Sequence, residues 1–220
     1  MQDIRAVIFD LDNTILNRTR TFEGFTRSFI ESYFSHLETA EPIFARIIEL
    51  DEDGYKDKGQ LFDELLQELP WINLPVHQEL MDFYAEHYVG NAVLMEQAQE
   101  VVREIRQKYK TALITNGRTD IQYGKIDRLG IRDDFDLIIV SEEAGVKKPD
   151  PRIFEMALER LALNPEQCIY IGDHPANDVQ GAADAGLHPI WMKVNQPWRD
   201  DLTVKPVHVI EHLSELQKFL

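Results

Sequence analysis

The chain has 220 residues, 44% of them hydrophobic and 28% charged, and carries a net charge of -16. This is a globular composition, long enough for one large domain or two smaller ones. The acidity argues against a general nucleic-acid or anionic-membrane binder, both of which need basic surface, but a local pocket can still take a small anionic substrate.

Cys168 is the single cysteine and sits in an apolar run. That leaves neither a disulfide framework nor a thiolate zinc site. No apolar run approaches the ~20 residues that span a bilayer, and the first residues do not resemble a signal peptide. The expectation is a soluble protein of a reducing, cytoplasmic compartment.

Ala6-Val7-Ile8-Phe9 is a continuous apolar run, as in a strand buried on both faces of a parallel sheet. It ends in Asp10-Leu11-Asp12-Asn13-Thr14, with two acids two residues apart. From residue 15 to 91 the texture is helical. Phe22, Phe25, Phe29 and Tyr33 recur at helical spacing, and further helices are expected around Pro42–Leu50, Leu61–Leu69 and Val76–Tyr88. Asp51-Glu52-Asp53-Gly54 between them reads as a solvated loop, because an EF-hand would need a later glycine and a terminal glutamate. Arg18, Arg20 and Arg27 read as surface arginines and are left out of the site. The stretch forms an all-helical insertion.

Past residue 91, helices and strands alternate. Thr111–Ile114 ends at Thr115-Asn116-Gly117, Leu137–Val140 at Ser141, and Cys168–Ile171 at Gly172-Asp173. Asp150-Pro151 reads as an N-cap and first helical residue. Further strands are expected at Pro189–Met192 and Val207–Ile210, then a helix from His212 to Phe219. Alternation implies right-handed crossovers and a parallel sheet, which binds ligands beyond the carboxyl ends of its strands. The expected fold is therefore α/β: a Rossmann-like three-layer core from residues 1–14 and 92–220, with a helical domain, 15–91, inserted in it.

That edge gathers a definite chemistry. Asp10, Asp12 and Asp173 are hard oxygen donors of the type Mg²⁺ prefers, and close carboxylates need a cation to stay ionised. Lys148 adds a compact positive charge, Thr115 a hydroxyl, and the backbone near Asn116 and Gly117 free amides. Together these suit a phosphoryl group, with a carboxylate as nucleophile.

Asp10-Leu11-Asp12-Asn13-Thr14, Thr115-Asn116-Gly117, Lys148-Pro149-Asp150-Pro151 and Gly172-Asp173 through Asp178 stand in the order of the four motifs of the haloacid dehalogenase superfamily. The chain resembles its phosphatase branch, with a helical cap between the first two motifs. The resemblance implies that Asp10 takes the phosphoryl group and binds Mg²⁺ with its other oxygen. Asp12 protonates the leaving alkoxide, then activates water, and its backbone carbonyl meets the metal. Thr115, Asn116 and Gly117 hold the phosphate with Lys148, Asp173 ligates Mg²⁺, and Asp178 supports the metal or Lys148. Burial among acids is expected to keep Asp12 partly protonated.

Gln122 and Lys125 after motif two are similar to the branch of pyrimidine 5′-nucleotidases and N-acylneuraminate-9-phosphate phosphatases. The implied function is Mg²⁺-dependent hydrolysis of a small phosphorylated metabolite, a nucleoside monophosphate or sugar phosphate. A phosphomutase is an alternative, since a closed cap favours transfer to a sugar over water. A haloacid dehalogenase fits less well, because that chemistry lacks an acid at the position of Asp12. A silent binding protein would have lost Asp10 or Asp12.

Overall fold

The structure, a computed structural model, describes residues 3–220. Six parallel strands form one sheet in the order β3-β2-β1-β4-β5-β6: β1 Ala6–Phe9, β2 Lys110–Thr115, β3 Leu137–Val140, β4 Cys168–Gly172, β5 His188–Met192 and β6 His208–Ile210. The unbroken apolar runs become the middle of the sheet. Every residue of β1 and β4 is buried, whereas β3 is half-exposed over Leu137 and Ile138. Strand β1 is central, with Ala6 opposite Lys110 on one side and Cys168 on the other.

Contacts divide the chain into two compact units. One runs through Asn17 and resumes from Leu94 to Leu220; the other is Arg18–Val93. The helical unit holds α1 Arg18–Phe34, α2 Glu41–Asp51, α3 Lys58–Glu68 and α4 His77–Gly90. Its core is aromatic. Phe22, Phe25, Phe29 and Phe62 are buried, and the Phe25 ring meets Tyr84 edge-on at 5.3 Å between centroids, the geometry that the ring quadrupole favours. Asp57 caps α3 by accepting from the Gln60 amide at 3.1 Å.

Two expectations fail in this unit. Asp51 is not in a solvated loop: it ends α2 and is buried. Arg18 is not a surface arginine, since it donates to Asp51 across 2.6 Å while Lys58 approaches the same carboxylate at 2.8 Å. Two cations on one carboxylate offset its desolvation, the condition under which a buried charge is tolerated.

The sheet-bearing unit continues with α5 Ala98–Arg106, α6 Thr119–Leu129, α7 Ser141–Ala144 and α8 Pro151–Leu161. Asp150 caps α8 by accepting from the Arg152 amide at 3.0 Å, with Pro151 at the first helical position, as the dipeptide predicted. After β4 the chain makes a π-helical turn, Pro175–Gln180, that runs into α9 Gly181–Asp184. The closing helix is a 3₁₀ segment, Leu213–Lys218. Among the described residues, no helix is long and apolar enough to cross a membrane.

Candidate active site

The carboxyl ends of β1, β2 and β4 lie side by side, so residues far apart in sequence meet. Asp10 immediately follows β1 and stays tied to the sheet, its amide donating to the Ile171 carbonyl at 2.8 Å. Asp173 follows β4, Thr115 ends β2, and Lys148 lies in the segment between α7 and α8. Asp10, Thr115, Lys148, Asp173 and Asp178 are all buried.

Lys148 is the hub. Its ammonium donates to Asp10 Oδ1 at 2.6 Å, Asp178 Oδ1 at 2.6 Å and the Tyr170 hydroxyl at 2.9 Å. An ammonium has three N–H donors, and these are three acceptors. Its backbone is held as well: the Asn116 side chain donates to the Lys148 carbonyl at 3.0 Å and accepts from its amide at 2.9 Å. Asn116 thus joins motif two to motif three, and the Gly117 amide donates to Ser141 Oγ at 3.0 Å.

Asp178 does more than cap a helix. Besides Lys148 and the Tyr170 hydroxyl, it accepts from the His174 amide at 2.9 Å. A Cβ at Gly172 would overlap the Asp178 side chain, so glycine in motif four is a requirement of this close approach. Trp191, buried as expected of a core aromatic, donates its indole N–H to the Asp173 carbonyl at 2.8 Å and steadies that turn. Tyr170 was hidden in an apolar run, and only the fold shows that its hydroxyl reaches Lys148.

The electrostatics point to a cation. Carboxylate oxygens of Asp10, Asp173 and Asp178 lie within 4.8 Å of one another. Burial pushes the Asp10 carboxyl up to about 7, against the pull of Lys148 and helped by the neighbouring Asp178 and Asp12. Burial alone would push the Lys148 ammonium down, but Asp10 and Asp178 hold it above the ordinary lysine range. One ammonium does not balance three carboxylates. The donors are hard oxygens, so the residues fit Mg²⁺.

The metal-free protein then has a definite pH dependence. With the Asp10 pKa raised well above its unfolded value of 3.8, the native state binds more protons than the unfolded chain between those values. Stability therefore falls as pH rises towards 7. Asp10→Asn removes the effect. In EDTA at pH 8 its unfolding midpoint is expected to lie roughly 5 °C above wild type, with the gap closing towards pH 4. A less stable Asp10→Asn protein at pH 8 would contradict this.

Asp12 is placed differently from the expectation. It is not buried among acids: about a quarter of its side chain is exposed, and both oxygens face the Lys125 ammonium at 2.7 Å. Gln122 Nε2 donates to Asp12 Oδ2 at 3.0 Å, to the Asn116 carbonyl at 3.0 Å and to Thr115 Oγ1. Gln122 and Lys125 were visible in the sequence only as a branch resemblance. Their spacing of three on α6 was the signal, since it puts them on one helix face.

The haloacid dehalogenase-like hydrolase family model matches residues 4–186. The chain belongs to this family. Among similar proteins is a glyceraldehyde 3-phosphate phosphatase of Pyrococcus abyssi, 32% identical over 86% of this chain and 82% of the relative. Another is the Mus musculus N-acylneuraminate-9-phosphatase, 26% identical over 99% and 94%. A magnesium-bound hydrolase of the family from Bacillus subtilis, YfnB, has the same fold, with a TM-score of 0.82 and 24% identity over 99% of this chain and 98% of that one.

Proposed function

We propose that this hydrolase is a Mg²⁺-dependent phosphatase acting on a small phosphomonoester, with sugar phosphates and nucleoside monophosphates as the leading substrates. The observation that carries the reading is Lys148 bridging Asp10 and Asp178 at 2.6 Å each, with Asp12 two residues beyond Asp10. The phosphatase relatives support it, since those names concern a triose phosphate and a 9-phosphorylated sugar acid.

In this mechanism the Asp10 carboxylate attacks phosphorus and the ester P–O bond breaks. The leaving alkoxide takes a proton from Asp12. Asp12 then accepts a proton from water as its oxygen attacks the aspartyl-phosphate, which releases inorganic phosphate and restores Asp10. Lys148 neutralises the phosphoryl oxygens, and Thr115 with the following amide, that of Asn116, orients them. Asp10, Asp173 and the Asp12 carbonyl would hold Mg²⁺, with Asp178 supporting; when bound, it supplies charge stabilisation to the transferring group. The helical unit, Arg18–Val93, is assigned the role of a cap that excludes water.

The test is phosphate release from a panel of sugar phosphates, nucleoside monophosphates and aryl phosphates, with Mg²⁺ and with EDTA. Release from at least one ester, lost in EDTA, is expected. A folded protein that releases none in Mg²⁺ would sink the proposal. So would release that EDTA leaves unchanged.

A further inference from the structure

We propose that Lys125, with Gln122, is a positioning residue that sets the Asp12 carboxylate for both of its proton transfers. The inference rests on the phosphatase reading above and adds residues to it. Asp12 follows β1 in a buried segment and is itself its partly exposed residue, with about a quarter of the side chain open, so other groups must fix its rotamer. Lys125 and Gln122 are both buried on α6. Lys125 meets both Asp12 oxygens at 2.7 Å. Gln122 ties one of those oxygens to Thr115 Oγ1 and the Asn116 carbonyl.

This arrangement has a cost that needs a reason. Burying an ammonium against a partly exposed carboxylate gains little stability, because the desolvation penalty offsets the attraction. Lys148 faces Asp10 and Asp178, whereas Lys125 faces Asp12. The two lysines thus serve the two acids of motif one separately. Lys148 serves the nucleophile, and Lys125 the proton carrier. Gln122 makes the second linkage one of register, since a single amide nitrogen spans the acid of motif one and the hydroxyl of motif two. A proton-transfer group works only within hydrogen-bond reach of its target, so small displacements are costly.

The prediction separates this role from a structural one through the leaving group. An alkyl ester leaves as a strong base and needs a proton from Asp12; a p-nitrophenyl ester does not. Because kcat/KM covers steps only through departure of the leaving group, Lys125→Met is expected to lower it about 10- to 100-fold for an alkyl phosphate. For p-nitrophenyl phosphate the loss should stay below about 3-fold. The kcat values should fall for both, because the second proton transfer is common to them. Gln122→Met should show the same pattern more weakly, and gives a second reading if Lys125→Met folds poorly. In an Asp12→Asn background, Lys125→Met should add no further loss.

Equal losses of kcat/KM on the two esters, or none on either, would overturn the proposal, as would additive losses in the Asp12→Asn background. Wild-type protein that releases phosphate from neither ester in Mg²⁺ would instead overturn the phosphatase reading, and this inference with it.

Discussion

Asp10→Asn is expected to lower phosphate release by roughly 10⁴-fold or more in the presence of Mg²⁺, because removing the proposed covalent nucleophile leaves only binding and charge stabilisation. The amide is nearly isosteric and still accepts from Lys148, which otherwise sits 2.6 Å from Asp10 Oδ1. The variant should therefore stay folded, and in EDTA at high pH it should be more stable than wild type. A protein more stable but inactive is the signature of a group whose placement serves reaction and not folding. The measurement is steady-state phosphate release together with trapping of an acid-stable, hydroxylamine-labile phosphoenzyme. Activity within about 10-fold of wild type would remove Asp10 from the nucleophile's role.

Lys148→Met should do the opposite to stability. Without the ammonium, Asp10 and Asp178 face each other buried, and breaking a buried ion pair from one side costs about 3–5 kcal/mol. In a chain of this size that is roughly 10 °C in the unfolding midpoint. The loss should be largest in EDTA above pH 7, where the wild-type Asp10 carboxyl, pushed up to about 7 by burial, is ionised and paired with Lys148. It should shrink towards pH 5 as that group takes up a proton. Adding Asp10→Asn should recover part of the stability, since the two side chains are in contact and their effects do not add. A midpoint unchanged in EDTA at pH 8 would mean that Lys148 is not the counter-charge of this cluster.

The strands and their gathered polar ends were legible because buried parallel strands write themselves as unbroken apolar runs. Ala6–Phe9 and Cys168–Ile171 are such runs, and polar residues follow where burial stops. Charge pairing was less legible. Asp51 and Arg18 are 33 positions apart and read separately as loop and surface, because only the packing of α1 against α2 makes them partners. Lys125 was hidden for a related reason. Helical spacing says that Gln122 and Lys125 share a face, not that this face meets Asp12. Tyr170 belongs by its ring to the strand interior, where it packs on Phe154, and by its hydroxyl to Lys148. Periodicity registers the ring alone.

The central place of β1 imposes an order of assembly on the chain as it is made. Ala6–Phe9 emerges first, yet its partners are Lys110–Leu113 and Cys168–Ile171. The helical segment Arg18–Val93, rich in contacts of its own, can condense early. Meanwhile β1 keeps two open edges until β2 arrives and one until β4 does, and an unpaired apolar strand is a template for association with other chains. Pairings so distant in sequence also close slowly. Asp10 is thus made well before Lys148 and Asp178, the groups that define its charge. Until they dock, Asp10 is an ordinary solvated carboxylate at the end of an unfinished sheet.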